Sequence, residues 1–308
     1  MTTLQIQEND IPDLGGKTAI SIYSDQTDIG GSSGIGWATA KIFADKGAQV
    51  YILDREEPEE PLSAQVKYIH CDISIWSNVV TALERIGSFH IAIANAGVDE
   101  DGDYLVDSYD RNGDLVEPAY KVIDVNLRGT LNFVKLALHS MKKNCVQGSI
   151  VITSSATAYA AEQSLPVYCA TKAALINFIR AMRSTLRDSG ITINAVAPAA
   201  TITKLLPADL AAPIIASGLP VSTAHFVGLA VAYSATASEE QKVQAYGKDT
   251  DDWKQTPGRW SGRAILTLGD RYTELEGPIS ETRSSWFGKE NLDETRMQQA
   301  ATDFREVA

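Results

Sequence analysis

The chain has 308 residues, 44% of them hydrophobic and 21% charged, enough to bury a sizeable core and exclude disorder as its main state. Thirty-nine acidic against 27 basic side chains give a net charge of −12, which repels nucleic acid and anionic lipid surfaces, and no basic patch overrides it. The opening stretch MTTLQIQENDIPDLGGKTAI is polar and acidic, so the expectation is a soluble, cytoplasmic chain without nucleic-acid or membrane partners.

In chain order, residues 1–16 form an N-terminal extension. From Lys17 onward, short apolar runs alternate with helical stretches. The runs are TAISIY (18–23), AQVYILD (48–54), VKYI (66–69), HIAIANAG (90–97), GSIVITSS (148–155) and ITINAVAP (191–198). They are too apolar for half-exposed strands and read as parallel strands covered on both faces. Helices are expected over Gly34–Lys46, Trp76–Ile86, Glu117–Lys142 and Val167–Asp188, the last with Ala173, Ile176, Ile179 and Met182 at helical spacing. Strand and helix in alternation predict an α/β fold, a doubly wound parallel β-sheet with helices on both faces, in one domain over 17–290. Two helices follow in 205–236, then a polar loop, and RAILTLGD (263–270) offers one more strand. The tail 291–308 reads as an amphipathic helix capped by Asn291.

Three cysteines, Cys71, Cys145 and Cys169, form no CxxC pair, and the four histidines are scattered. That argues against both a disulfide scaffold and a metal site.

GGSSGIG (30–36) lies between a strand and a helix, where Gly30 allows a tight turn, Gly34 a close backbone approach to a pyrophosphate, and Gly36 close packing of helix on strand. Asp54 ends the second strand at the separation expected of an acid that binds adenosine ribose hydroxyls; its charge repels a 2′-phosphate and favours NAD over NADP, with Arg55 beside it. YCATK places Tyr168 and Lys172 on one helix face, a pair that is common by itself. Ser155 adds context, because GSIVITSS delivers it to the sheet edge where doubly wound folds bind ligands. An ammonium near a phenol is expected to lower the phenol's pKa and make it a proton carrier at neutral pH.

These residues resemble the short-chain dehydrogenases/reductases with one Rossmann domain, over residues 17 to about 204. GGSSGIG is similar to the family's glycine motif, CDIS to its adenine-contacting turn, NAG (95–97) to its fourth-strand motif and VNLRG to its helix asparagine. The resemblance implies a catalytic tetrad of Asn126, Ser155, Tyr168 and Lys172, with Asn126 supporting a water that relays protons to Lys172. It implies cofactor contacts from Gly30, Ser32, Ser33, Gly34, Ile35, Gly36, Asp54, Asp72, Ile73, Asn95, Ala96, Gly97, Tyr168, Lys172, Pro198 and Thr203. The expected activity is hydride transfer between NAD(H) and a secondary alcohol or ketone of a small apolar or polycyclic substrate. A homodimer or homotetramer built on the two long helices is expected with it.

The sequence departs from the family in three places. SIYSDQTDI (21–29) is inserted before the glycine turn and puts Asp25 and Asp28 near the pyrophosphate position. This leaves open a non-redox alternative on the same fold: an isomerase, a cyclase or a binding protein without catalysis. Pro198-Ala199 replaces the usual Pro-Gly. The segment 204–262 is long and carries Phe226, Tyr233, Tyr246, Trp253 and Trp260, read either as a lid over an apolar pocket or as packing onto the body.

Overall fold

A computed structural model describes residues 2–22, 34–100 and 102–305. Gly30, Ser32 and Ser33 of the glycine motif, and most of the 21–29 insertion, lie outside the described residues. The strands are β1 (Thr3–Leu4), β2 (Thr18–Ile22), β3 (Gln49–Asp54), β4 (Val66–His70), β5 (Ile91–Ala94), β6 (Ser149–Thr153), β7 (Thr192–Pro198), β8 (Ser238–Glu239), β9 (Gly258–Arg259), β10 (Ala264–Leu268) and β11 (Arg271–Glu274). The helices are α1 (Gly34–Asp45), α2 (Trp76–Ile86), α3 (Thr130–Lys143), α4 (Pro166–Thr185), α5 (Ala208–Ala216), α6 (Ala224–Thr236), α7 (Asp251–Lys254), α8 (Glu276–Glu281), α9 (Arg283–Phe287) and α10 (Lys289–Ala301). A π-helical turn, Ile123–Gly129, leads into α3.

Seven strands pair in parallel in the order β4-β3-β2-β5-β6-β7-β10, and β11 and β1 continue the sheet antiparallel. Alternation along each strand fills two cores. Ile20, Ile22, Ile150, Ile152 and Ile193 point to the face covered by Phe133 and Val134 of α3 and Leu175 and Ile179 of α4. Ala19, Ile91, Ile93, Val151 and Val196 point to the other face, against Phe43 of α1 and Val227 and Val231 of α6. The chain leaves β2 towards β3 and β4, then crosses back to β5. The order therefore reverses beside β2, which opens a crevice at the carboxyl ends of the strands.

Three sequence expectations need correction. The helix expected from Glu117 begins only at Lys121, because Pro118 lacks an N–H and Tyr120 takes a φ of +49°. RAILTLGD is strand only to Leu268. The chain then turns at Gly269, at a φ of +63°, into the unforeseen β11. Asn291 is not the cap of the last helix: Gly288 holds that position, and Asn291 lies inside α10 with its amide donating to the Phe287 carbonyl at 2.8 Å. Within the N-terminal extension, β1 pairs with β11 at the sheet edge.

Among the described residues no helix is long and apolar enough to cross a membrane, and all three cysteines are free.

Candidate active site

The carboxyl ends of β5, β6 and β7 and the first turns of α4 enclose a cleft of about 430 Å³. Strand β6 is fully buried, so its direction is rigid, and the chain just beyond its end presents Ser155. Pro166 opens α4 at a position where its missing N–H costs nothing. Tyr168 and Lys172, one helical turn apart, then face the same cleft.

The three side chains meet. The Ser155 side chain lies near enough to the Tyr168 hydroxyl to favour its ionised form. Ser155 Oγ also accepts the Thr157 N–H at 3.1 Å, which fixes its rotamer. Lys172 Nζ lies 5.5 Å from the centre of the Tyr168 ring and donates to the Thr153 carbonyl at 3.1 Å. Burial pushes the Tyr168 phenol up to about 12; the Ser155 side chain opposes this and the Asp99 charge adds to it. Burial also takes the Lys172 ammonium down to about 8. The expected lowering of the phenol by Lys172 is therefore reversed in this structure: both groups are desolvated, and each is driven towards its neutral form.

Asn126 is fully buried in the π-helical turn. Its Oδ1 accepts the Val98 N–H at 2.7 Å and its Nδ2 donates to the Val98 carbonyl at 2.8 Å. The side chain is thus committed to holding the 97–99 segment, the wall of the cleft.

The remaining predicted contacts divide. Gly34, Ile35, Asn95, Gly97, Pro198 and Thr203 line the main cleft. Asp72 and Ile73 line a smaller cleft of about 230 Å³, together with Arg55 and Val98. Asp54 is buried at the end of β3, its Oδ1 accepting the Arg55 N–H at 2.6 Å. Gly36 and Ala96 are buried and line neither cleft.

The donor set fits an extended dinucleotide. Segment 97–99 contributes to both clefts, so one long ligand can span them. Gly34 has a φ of +70°, and a Cβ there would come within 3.1 Å of the Thr203 side chain. A Cβ on Gly97 would come within 3.1 Å of Lys172 Nζ. Both glycines keep the crevice open where side chains would fill it. Ala199 reaches β10 without a positive φ, its N–H donating to the Thr267 carbonyl at 2.9 Å, so the missing glycine after Pro198 does not break the turn.

Sequence reasoning missed Glu100. Leu165, the residue before α4, has no side chain able to cap the helix. Glu100 supplies the acceptors from 67 residues away, taking the Val167 N–H at 3.3 Å and the Tyr168 N–H at 3.0 Å. A carboxylate there satisfies two orphan donors and opposes the positive helix end. The only signal was negative: an α4 start without Ser, Thr, Asp or Asn at the cap. Glu100→Ala is expected to cost about 0.5–2 kcal/mol of stability and to lower kcat more than it raises KM, because Tyr168 sits on the freed turn. Denaturant unfolding and steady-state kinetics measure both.

The aromatic residues of 204–262 stand elsewhere. Phe226 stacks on Tyr272 with centroids 3.9 Å apart, and Tyr233 meets Trp260 edge-on at 5.6 Å, both in the core beneath α6. Tyr246 and Trp253 line a different cavity. Only Thr203–Leu206, ahead of α5, reach the catalytic cleft from this region.

Comparison with known proteins agrees with this geometry. The short chain dehydrogenase family matches residues 29–212. The short-chain dehydrogenase/reductase prx4 of Penicillium rubens is 49% identical over 306 residues, covering 99% of this chain and 90% of that protein. The short-chain dehydrogenase/reductase ATR7 of Stachybotrys chlorohalonatus is also 49% identical over 306 residues, covering 99% and 95%. Among solved structures, the aldohexose dehydrogenase of Thermoplasma acidophilum matches with a TM-score of 0.61 at 27% identity, over 73% of this chain and 89% of that one. The 3-ketoacyl-(acyl-carrier-protein) reductase of Brucella melitensis, solved with NADH, matches with a TM-score of 0.62 over 83% and 98%; at 22% identity the likeness is one of fold alone.

Proposed function

The chain belongs to the short-chain dehydrogenase/reductase family of oxidoreductases, and from that premise we propose that it exchanges a hydride between NAD(H) and a secondary alcohol or ketone of a small apolar or polycyclic substrate. The observation that carries this reading is the meeting of Ser155, Tyr168 and Lys172 in one cleft. A nicotinamide bound there supplies the hydride chemistry. Gly34, Ile35, Asn95, Gly97, Pro198, Thr203 and Lys172 would hold its half of the dinucleotide, and Asp54, Asp72 and Ile73 the adenosine half.

Ser155 positions the substrate oxygen through its hydroxyl. Tyr168, kept as the neutral phenol by burial, holds the proton that a carbonyl oxygen takes up on reduction. Lys172 sets a positive charge beside the phenolate left behind, which that charge stabilises. Asn126 serves as a positioning residue: both ends of its amide are taken by Val98, which accounts for its place without the water relay implied by the resemblance.

The buried carboxylate of Asp54 supports NAD over NADP, since it would meet a 2′-phosphate with like charge. Calorimetric titration with NADH and NADPH tests this. NADH is expected to bind at least about tenfold more tightly, and Asp54→Ser to narrow the gap. Tyr168→Phe should abolish turnover and leave NADH affinity nearly intact. Absence of affinity for either dinucleotide would favour the non-redox alternative.

A further inference from the structure

A larger cavity, of about 580 Å³, opens between the C-terminal half of α4, the 242–261 segment and helices α9 and α10. Gly190, Ile191 and Thr192 line it at the start of β7, whereas Pro198 at the end of that strand belongs to the catalytic cleft. At about 3.3 Å per strand residue the two sites lie roughly 20 Å apart. Nothing in the proposed hydride transfer uses this cavity.

Its charge is the reverse of the chain's. Arg180, Arg183, Lys242, Arg259, Arg283 and Arg296 line it and no Asp or Glu does, although the chain carries 39 acidic side chains against 27 basic ones. Four of the six have a carboxylate partner outside the lining. Glu276 pairs with Arg180 and Arg183, Glu239 with Lys242, and Asp251 with Arg296. Arg259 instead donates to the Gly190 carbonyl at 2.8 Å, and Arg283 to Gln244 Oε1 at 2.8 Å.

Gln244 marks where the field converges. Its Oε1 accepts from Arg183 Nη2 at 2.6 Å as well as from Arg283, so two guanidinium groups share one neutral amide oxygen. Arg283 Nε is buried and has no acceptor. A buried charged donor left bare is costly, and a planar anionic oxygen supplied from outside would satisfy it. Desolvation and the neighbouring Arg180 hold the Arg283 guanidinium below its usual range, with the Glu276 charge opposing them.

The mouth is apolar. Trp286 is 62% exposed and Phe287 39% exposed, and Trp253 and Leu292 complete that wall. The volume suits a small molecule rather than a folded partner. We propose that this cavity binds an amphipathic carboxylate, an aryl or alkyl acid whose carboxylate meets Arg283 and Arg183 and whose apolar body lies against Trp253, Trp286 and Leu292. A carboxylate is favoured because the one oxygen that already accepts from both guanidinium groups is planar and sp², as a carboxylate oxygen is.

Titration of the full chain with 2-naphthoate, and with 2-naphthalenemethanol as its neutral counterpart, tests the site by calorimetry and tryptophan emission. The acid is expected to bind at least about tenfold more tightly than the alcohol and to quench emission. Arg283→Gln should weaken the acid about tenfold or more. Trp286→Ala, at an exposed position that the fold tolerates, should weaken it several-fold and remove part of the quenching. Equal affinity for acid and alcohol, an acid affinity unchanged in Arg283→Gln, or no heat up to millimolar acid would each overturn the proposal. Should Arg283→Gln fail to fold, an unchanged acid affinity in Trp286→Ala would overturn it equally.

Discussion

Lys172→Met is expected to lose about 10²–10⁴-fold in turnover and to gain stability at neutral pH. Nζ is fully buried, donates to the Thr153 carbonyl at 3.1 Å, and carries a pKa taken down by burial to about 8. An unfolded lysine titrates near 10.4, so the folded protein holds this proton less tightly than the unfolded chain does. Folding is therefore penalised below about pH 8, where both states are charged, and the penalty fades as pH rises from there towards the unfolded value. Methionine removes the charge at similar length but leaves the Thr153 carbonyl without its donor. The net gain should be about 1–3 kcal/mol at pH 7, a rise of several degrees in Tm, shrinking to nothing or reversing near pH 10.5. Thermal unfolding of the two proteins at both pH values measures it. A variant less stable than the parent at pH 7 would show that burial of the ammonium is not a cost the fold carries for catalysis.

That cost was invisible in the sequence. The i, i+4 spacing of Tyr168 and Lys172 and the strand that delivers Ser155 were legible, because helix and strand periods dictate direction. The two-sided cover of the sheet followed for the same reason: Ile150, Val151 and Ile152 are apolar in succession, as suits a strand covered on both faces. Desolvation is a property of the assembled cleft, however, and it is the largest influence on the Tyr168 phenol. Long-range partners escaped as well. Glu100 caps α4 from another loop, and the fold buries Glu239, Glu274 and Glu276 against Arg263, Arg180 and Arg183, which no local pattern announces. The aromatic residues near 226–260 signalled burial without naming a face, so a core role for Phe226 and a cavity role for Trp253 looked alike.

Removing one of those buried acids should produce the largest loss of stability. Glu276, only 2% exposed, accepts from Arg180 at both carboxylate oxygens, Oε1 and Oε2 each at 2.8 Å, and from the Tyr159 hydroxyl at 2.9 Å. Arg183 approaches Oε2 at 3.5 Å. This one side chain ties the start of α8 to the back of α4. In Glu276→Ala the Arg180 and Arg183 guanidinium groups lose their carboxylate, and the Tyr159 hydroxyl loses its acceptor. Breaking a buried pair in this way costs about 3–5 kcal/mol, since the stranded charge is worth more than the bond itself. Urea unfolding should show a lower midpoint at nearly unchanged slope. Glu276→Gln keeps the shape and one acceptor and should lose distinctly less. Arg180→Met placed on Glu276→Ala should recover part of the loss, because it removes one of the two stranded charges. A loss below about 1 kcal/mol, or no recovery in the double variant, would mean that water reaches the network and screens it. Arg180 lies two turns beyond Lys172 on α4, about 12 Å along the axis, so slackening this anchor is expected to reach the catalytic turn as a smaller fall in kcat.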